Sequence, residues 1–270
     1  MKGIYLYWWS EIFIQKKNKE NYGDLLGKYL VEKISGNRVH WFNPKKKWFL
    51  KKPIVYATIG SILSHVKKDW IVWGSGIIFK TDKVENAKFL AVRGPQSRKH
   101  LLALGYSVPE VYGDPGLLLP DFYNPVHIEK KYSLGIIPHY NDYKMVSEMY
   151  LGDDDVKIIN LMTNDIEGTT DEILSCESIV SSSLHGIIMA HAYKIPAVWV
   201  EFSDKVHGDG VKYQDYFESV NMDFYEPLKV LDKLSKEDLE KSLNDLPSKP
   251  DDKIISTLKM GLMEVCPFKH

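Results

Sequence analysis

The block SSSLHGIIMAHAYKIPAVWVE (181–201) holds the most informative spacing in the chain. Three serines close an apolar run, His185 and Gly186 follow, and an apolar helix-like stretch continues to Lys194. A strand turning into a helix leaves the first helical amides without carbonyl partners, and the aligned peptide dipoles add positive potential. Such an end suits phosphate or carboxylate. Ser182, Ser183 and Leu184 would line it, Gly186 would let a ligand approach the backbone, and His185 would stand in the first turn beside the ligand. The plainer alternative is a serine-capped core helix with an incidental histidine. His191, six residues on, is expected to be a packing histidine.

A second block, FLAVRGPQSRKHLLALGY (89–106), ends an apolar run in Arg93 and opens a helix at Pro95. The chain has three arginines, Arg38, Arg93 and Arg98. An arginine at a strand end can grip a carboxylate or phosphate with two parallel bonds, which lysine cannot do. Arg98 reads as a solvated helix charge. In NYGDLLGKYL (21–30), Asp24 is either an N-cap or a general base facing a cleft. GDPG (113–116) places Asp114 in a tight turn or a site. IIPHYND (136–142) offers His139 at a strand end. VKYQDYF (211–217) offers Lys212 and Asp215, and a surface helix explains it equally well. In PKKKWFLKKP (44–53), Lys45, Lys46, Lys47, Lys51 and Lys52 surround Trp48 and Phe49. This is a solvated loop, or a patch for anionic head groups or a lipid-linked pyrophosphate at a membrane surface. WGSG (73–76) lacks the GxGxxG spacing, and DDD (153–155) reads as a solvated acidic loop, so neither a dinucleotide fingerprint nor a metal site is expected.

These residues need elements to hold them. Short runs rich in Val, Ile and aromatics recur at 3–9, 38–42, 53–60, 70–78 and 87–94, then at 132–140, 156–163, 178–183 and 195–201. Continuous apolar runs of this length read as strands buried on both faces, as in a parallel sheet. Helical patterns lie between them at 24–35, 95–104, 170–177 and 184–193, and a charged helical tail near 235–265 is broken around PSKP (247–250). The alternation predicts an α/β protein of two Rossmann-like domains facing across a cleft. The expected domains are 1–122, on the acceptor side, and 123–270, on the donor phosphate side, with the seam inside LPDFYNPVHIEKK (119–131). No internal repeat is visible. Ligands in such sheets sit outside the carboxyl ends of the strands, where the motifs fall.

A near-balanced 35 Lys+Arg against 36 Asp+Glu argues against a nucleic-acid binder. The balance hides a split: residues 1–120 carry 20 basic and 9 acidic side chains, residues 121–270 carry 15 and 27. Two cysteines, Cys176 and Cys266, make no disulfide framework, which fits a cytoplasmic protein. The N-terminus is a poor signal peptide, and no run approaches the length of a transmembrane helix, so attachment at the inner membrane face would be peripheral.

Taken in order, NYGDLL (21–26), WGSGI (73–77), VRGPQSRKHL (92–101), YGDPGLLLP (112–120), IIPHYND, SSSLHGIIMAHAYKIPAVWV (181–200) and KYQDYFESV (212–220) resemble the polysaccharide pyruvyl transferase family. The SLHG block with its helix and IPAV strand is the most specific. Residues 226–270 match nothing in the pattern. The resemblance implies a fold like that of two-domain GT-B glycosyltransferases. It implies transfer of a pyruvyl group from phosphoenolpyruvate, a co-substrate, to two hydroxyls of a sugar, forming a cyclic ketal and releasing phosphate, with no further cofactor. The acceptor would be a polysaccharide or lipid-linked precursor, an undecaprenyl-pyrophosphate carrier included. By resemblance, Arg93 and His185 match donor-binding positions, with Ser182, Ser183, Leu184 and Gly186 around them, and Asp24 matches an acidic position facing the cleft. His185 is the candidate acid and Asp24 the candidate base; His139, Lys212 and Asp114 are acceptor-side or secondary candidates. The rival readings are a nucleotide-sugar glycosyltransferase and a non-catalytic module for anionic glycans.

Overall fold

The computed structural model describes residues 3–46 and 52–269. The first half opens with strand β1 (Ile4–Tyr7), a long loop, and a short strand β2 (Glu20–Asn21) leading into helix α1 (Tyr22–Ser35). Asn21 caps α1 by accepting from the Gly23 amide at 3.0 Å. Leu26, Leu30 and Val31 form its buried stripe, and Gly36, at φ 62°, ends it in the left-handed conformation that glycine adopts cheaply. Strands β3 (Val39–Trp41), β4 (Val55–Ala57), β5 (Ile71–Trp73) and β6 (Lys88–Ala91) follow, then α2 (Pro95–Ala103) and a short α3 (Leu119–Phe122) in the expected seam.

The second half runs β7 (Tyr132–Ile137), α4 (Tyr143–Met149), β8 (Val156–Ile158), β9 (Met162–Thr163), α5 (Ile166–Leu174), β10 (Cys176–Ser181), α6 (Leu184–Ala192), β11 (Ala197–Glu201), α7 (Val211–Ser219) and β12 (Leu228–Lys229). Two tail helices, α8 (Lys236–Asp245) and α9 (Asp252–Glu264), flank the PSKP break. Each of the nine expected runs holds a strand, but several are shorter than expected: 70–78 forms only β5, and 156–163 splits into the parallel β8 and the separate β9, with α5 four residues earlier than expected.

Both principal sheets are parallel, with spatial orders β3-β1-β4-β5-β6 and β8-β7-β10-β11-β12. Ranked by sequence within each half, both read 2-1-3-4-5. The halves therefore share a doubly wound topology although their sequences show no repeat. In each sheet the order reverses between the first and third strands, and a ligand crevice belongs outside their carboxyl ends. Those points are β1/β4 in one half and β7/β10 in the other.

The halves are tied together. The antiparallel β2–β9 pair joins Glu20 to Thr163 and Asn21 to Met162 across them. The largest buried apolar cluster draws Tyr22, Leu26, Leu30 and Ile59 together with Ile137, Leu184 and Ile187. The tail helix α9 returns to the first half: Leu262 and Phe268 pack with Leu6 and Trp73, and the Trp73 indole donates to the Leu262 carbonyl at 2.9 Å.

The surface-helix reading of 211–217 is overturned. Tyr213, Asp215, Tyr216 and Phe217 of α7 are all at most 1% exposed. The three aromatics join the largest apolar cluster, while Asp215 turns to α2 of the other half. The DDD segment is on the surface as expected, with Asp153 and Asp155 paired to Lys233 and Lys236. Both cysteines are free thiols. Of the basic-aromatic loop, Lys45, Lys46 and Lys52 are exposed, and Lys47, Trp48, Phe49 and Lys51 lie outside the described residues. Among the described residues, no helix is long and apolar enough to cross a membrane.

Candidate functional site

The two crevices face each other and merge into one cavity of about 670 Å³. The first half supplies Trp9 and Glu11 from the loop after β1, Asp24 from the first turn of α1, Ser61 and His65 after β4, and Asp82 after β5. The second half supplies His139 and Tyr140 after β7, Ser183 and His185 after β10, and Lys205 and Lys212 after β11. All three lining carboxylates, Glu11, Asp24 and Asp82, come from the first half, and both lining lysines come from the second.

At the second-half wall, Ser183 is the N-cap residue of α6 but makes no side-chain capping bond. The amides of Leu184 and His185 find no acceptor among the described residues, so they stay free for an anion. The His185 imidazole lies over the start of α1, where Gly23 makes room: a Cβ there would fall 2.0 Å from Nδ1. Its Nε2 is buried and faces Asp114 Oδ2 at 3.7 Å, and neither atom has another partner. Asp114 Oδ1 accepts from the Gly116 amide at 2.8 Å. GDPG is thus a turn that holds a carboxylate behind the histidine ring.

Opposite stands Asp24. Since Asn21 caps α1, the Asp24 carboxylate is not spent on the helix end. Burial pushes its pKa from 3.8 up to about 7; nearby His185 pulls the other way, and Glu11 and Glu20 add to the rise. Burial, then the Arg93 charge, brings the Lys212 ammonium down to about 8. His139 is lowered to about 4 by burial and by Lys212, Lys17 and His207 around it, so its ring is neutral at pH 7. Its Nδ1 accepts from the Asn141 amide at 3.3 Å.

Asp24, Leu184, His185, Ser183, His139 and Lys212 therefore meet in one cavity. The other expected site residues stand elsewhere. Ser182 is fully buried and its hydroxyl accepts from the His139 amide at 2.8 Å, so it shapes the strand end. Gly186 faces inward: a Cβ would meet Ser181 Oγ at 2.4 Å and Ile137 at 3.0 Å, so its smallness seats α6 on the sheet and opens no path for a ligand. Asp114 lies behind His185 and not in the cavity.

Arg93 does not reach the cavity surface either. It is 0% exposed, and its Nε, Nη1 and Nη2 donate to Asp215 Oδ2 (3.0 Å), Ser61 Oγ (2.6 Å) and the Ile77 carbonyl (2.8 Å). Asp215 also accepts from the Ser97 amide and hydroxyl at 2.8 and 2.6 Å, capping α2 from the other half. Gly94 permits this approach, since a Cβ there would lie 1.9 Å from the Asp215 carbonyl oxygen. The fork is occupied by a buried latch between the halves, and it touches the cavity only through Ser61. The Asp215 partner was within VKYQDYF, but pairing residues 122 positions apart requires the tertiary fold. His191 behaves as expected, bonded to the Tyr216 hydroxyl and the Ser248 carbonyl inside the core.

Trp9, Glu11, Ser61 and Tyr140 were not picked out from the sequence. Their signal was positional: each directly follows the first or third strand of a half, which is where the order reverses.

With this geometry in place, a sequence model of the polysaccharide pyruvyl transferase family matches residues 21–204. The chain belongs to this family. An uncharacterized protein of Acanthamoeba polyphaga mimivirus is 34% identical over 265 residues, spanning 92% of this chain and 87% of that protein. The family match takes in Asp24, Asp114, His139 and the Ser182–Gly186 block. Trp9, Glu11, Lys205 and Lys212 of this pyruvyl transferase cavity fall outside it.

Proposed function

We propose that the chain transfers the pyruvyl group of phosphoenolpyruvate to two hydroxyls of a sugar in a polysaccharide or lipid-linked precursor, closing a cyclic ketal and releasing phosphate. One observation carries the reading. The free amides of α6, His185 and Lys212 converge on one wall of a cavity whose other wall presents Asp24 with a pKa of about 7. Amides and an ammonium suit the donor's phosphate and carboxylate. The facing halves, each with its crevice at the strand ends, are the arrangement expected of a GT-B-like transferase.

In this mechanism His185 delivers a proton to the methylene carbon of the donor, leaving an oxocarbenium-like centre at the carbon bearing the phosphate. A sugar hydroxyl attacks that centre and gives its proton to Asp24. A base with a pKa near the working pH combines a populated charged form with useful proton affinity. The second hydroxyl then displaces phosphate, which leaves with that hydroxyl's proton, and the ketal closes. Asp114 orients the imidazole from behind. Arg93 acts through Ser61, holding the cavity wall where the two halves meet.

The deciding experiment incubates the protein with phosphoenolpyruvate and a panel of free and lipid-linked galactosides, glucosides and mannosides. The expected result is phosphate release matched by pyruvylated product in mass spectrometry. Binding of the donor without phosphate release on any acceptor would point to a non-catalytic module. Thermal protection by a nucleoside diphosphate but not by phosphoenolpyruvate would point to a nucleotide-sugar transferase.

A further inference from the structure

A single cavity with walls of opposite charge partitions its ligands. An anion is favoured at the α6 amides with Lys205 and Lys212, and disfavoured against Asp24 and Asp82. The first-half wall instead combines carboxylate acceptors with an aromatic face, the pairing that suits a polyol: the indole takes the C–H face of a sugar and the carboxylates take its hydroxyl protons. We propose that this wall is the subsite for an uncharged sugar ring, with Trp9 as its stacking platform and the buried Glu11 and Glu20 as the residues that position the indole. The identity of the ligand on the opposite wall rests on the pyruvyl-transfer reading; the sugar subsite itself does not.

The local geometry is built around a buried anchor. Glu20 is 3% exposed, a costly place for a carboxylate unless its oxygens are bonded. It accepts from the Trp8 indole (3.3 Å), the Ser10 hydroxyl (2.5 Å) and the amides of Glu11 (2.7 Å) and Ile12 (3.4 Å). Residues 8–12 are thereby fixed to the start of β2, which is itself paired to β9 of the other half. On this fixed segment the Trp9 indole donates to Glu11 Oε1 at 3.2 Å, and its ring lies 5.3 Å from His65. Glu11 Oε2 stands 2.7 Å from Lys17 Nζ, and that ammonium sits 4.5 Å over the ring of Tyr140 on the opposite wall. Trp9, Glu11, Lys17 and Tyr140 thus bridge the two halves at the cavity. Sugar specificity is set on a segment outside the family match, upstream of residue 21.

The test needs no donor. Saturation-transfer NMR with methyl galactoside, methyl glucoside and methyl mannoside should show contact with at least one of them on the wild-type protein. Trp9→Ala should weaken that binding about tenfold, the scale of one lost aromatic contact, and Trp9→Phe should keep most of it. Glu20→Gln offers an amide where four donors point, and should weaken the glycoside while leaving phosphoenolpyruvate affinity unchanged. Absence of any glycoside contact on the wild type overturns the proposal, as does unaltered binding by Trp9→Ala. Equal weakening of glycoside and donor in Glu20→Gln overturns the positioning role. Glycoside binding that follows Trp9 in a protein that shows no pyruvyl transfer sinks the transfer reading and leaves the sugar subsite standing.

Discussion

The two walls of the cavity invert the charge of the halves that build them. The first 120 residues carry 20 basic and 9 acidic side chains, yet the cavity lining they supply holds Glu11, Asp24 and Asp82, with Lys17 at the edge paired to Glu11. The remaining residues carry 15 basic and 27 acidic side chains, yet their wall presents Lys205, Lys212, three histidines and a helix N-terminus. Regional charge is spent on the solvated surface, where it is screened over about 8–10 Å, whereas charges in a cavity act at short range and lower dielectric. The sign of a half therefore says little about its ligand. Position at the strand-order reversal says more.

The difference between the walls can be broken from either side. The largest effect is expected on the second-half wall: His185→Ala should slow phosphate release by about 10³-fold while circular dichroism shows an intact fold, because a proton to carbon then has no placed donor. Activity within a few-fold of wild type would remove His185 from the chemistry. Next comes the seam between the halves. Asp215→Ala leaves the Arg93 guanidinium buried without its counter-charge and strips the cap from α2, which should cost about 3–5 kcal/mol in denaturant unfolding. A loss of donor affinity with unchanged stability would instead mean that Arg93 meets the donor directly.

The pH profile sharpens the comparison, because one group from each wall bounds it. The reaction needs Asp24 charged and Lys212 protonated, so kcat/KM for the donor should rise as the pH passes about 7 and fall as it passes about 8. Lys212→Met should raise the donor KM about tenfold and leave the acid limb, set by Asp24, in place. An unchanged donor KM in that variant would remove Lys212 from donor binding.

Asp24 also has a stability signature. Its folded pKa of about 7 lies above the 3.8 of the exposed group, so the folded state holds the proton more tightly. Stability from this group is fully present below about pH 4 and is lost as the pH rises through 7. Asp24→Asn, which carries no charge, should be more stable than wild type in denaturant unfolding at pH 8, by up to about 4 kcal/mol, while transferring poorly. Lower stability at pH 8 would show that the carboxylate is stabilised in place. The smallest effect concerns the membrane part of the proposal: Lys45→Ala, Lys46→Ala and Lys52→Ala together should lower binding to anionic liposomes by up to about 3 kcal/mol and leave folding unchanged. Equal binding before and after would end that reading.

Much of the fold was legible because parallel strands buried on both faces are nearly pure apolar runs, and each of the nine runs held a strand, although 156–163 broke into β8 and the antiparallel β9. The short elements were not. β2 and β9 have two residues each and exist only because Glu20 and Thr163 meet across the halves. The α7 segment looked like a surface helix because its polar residues alternate with aromatics. Lys212 and Asp215 are interior groups that find the cavity and Arg93, which periodicity cannot distinguish from solvent exposure. SLHG was readable because its chemistry is local: a strand end, a free helix N-terminus and a histidine one residue inside it. Arg93 was read as an open clamp because its occupant, Asp215, is 122 residues away.

What the amino-acid sequence determined by itself is the local material: which runs become strands, where helices start and stop, and which turns carry a histidine, a carboxylate or free amides. Neighbouring residues set those properties through dihedral preference, side-chain period and capping. The tertiary structure alone decided which of these groups share a cavity. Two halves with the same strand order brought the β1/β4 and β7/β10 crevices face to face, placed Asp24 opposite His185, closed Arg93 into a latch and turned a charge split along the chain into its inverse across a site. Those outcomes depend on distances through space between residues far apart in sequence, and contact at a few ångströms, not regional composition, sets the energies that matter there.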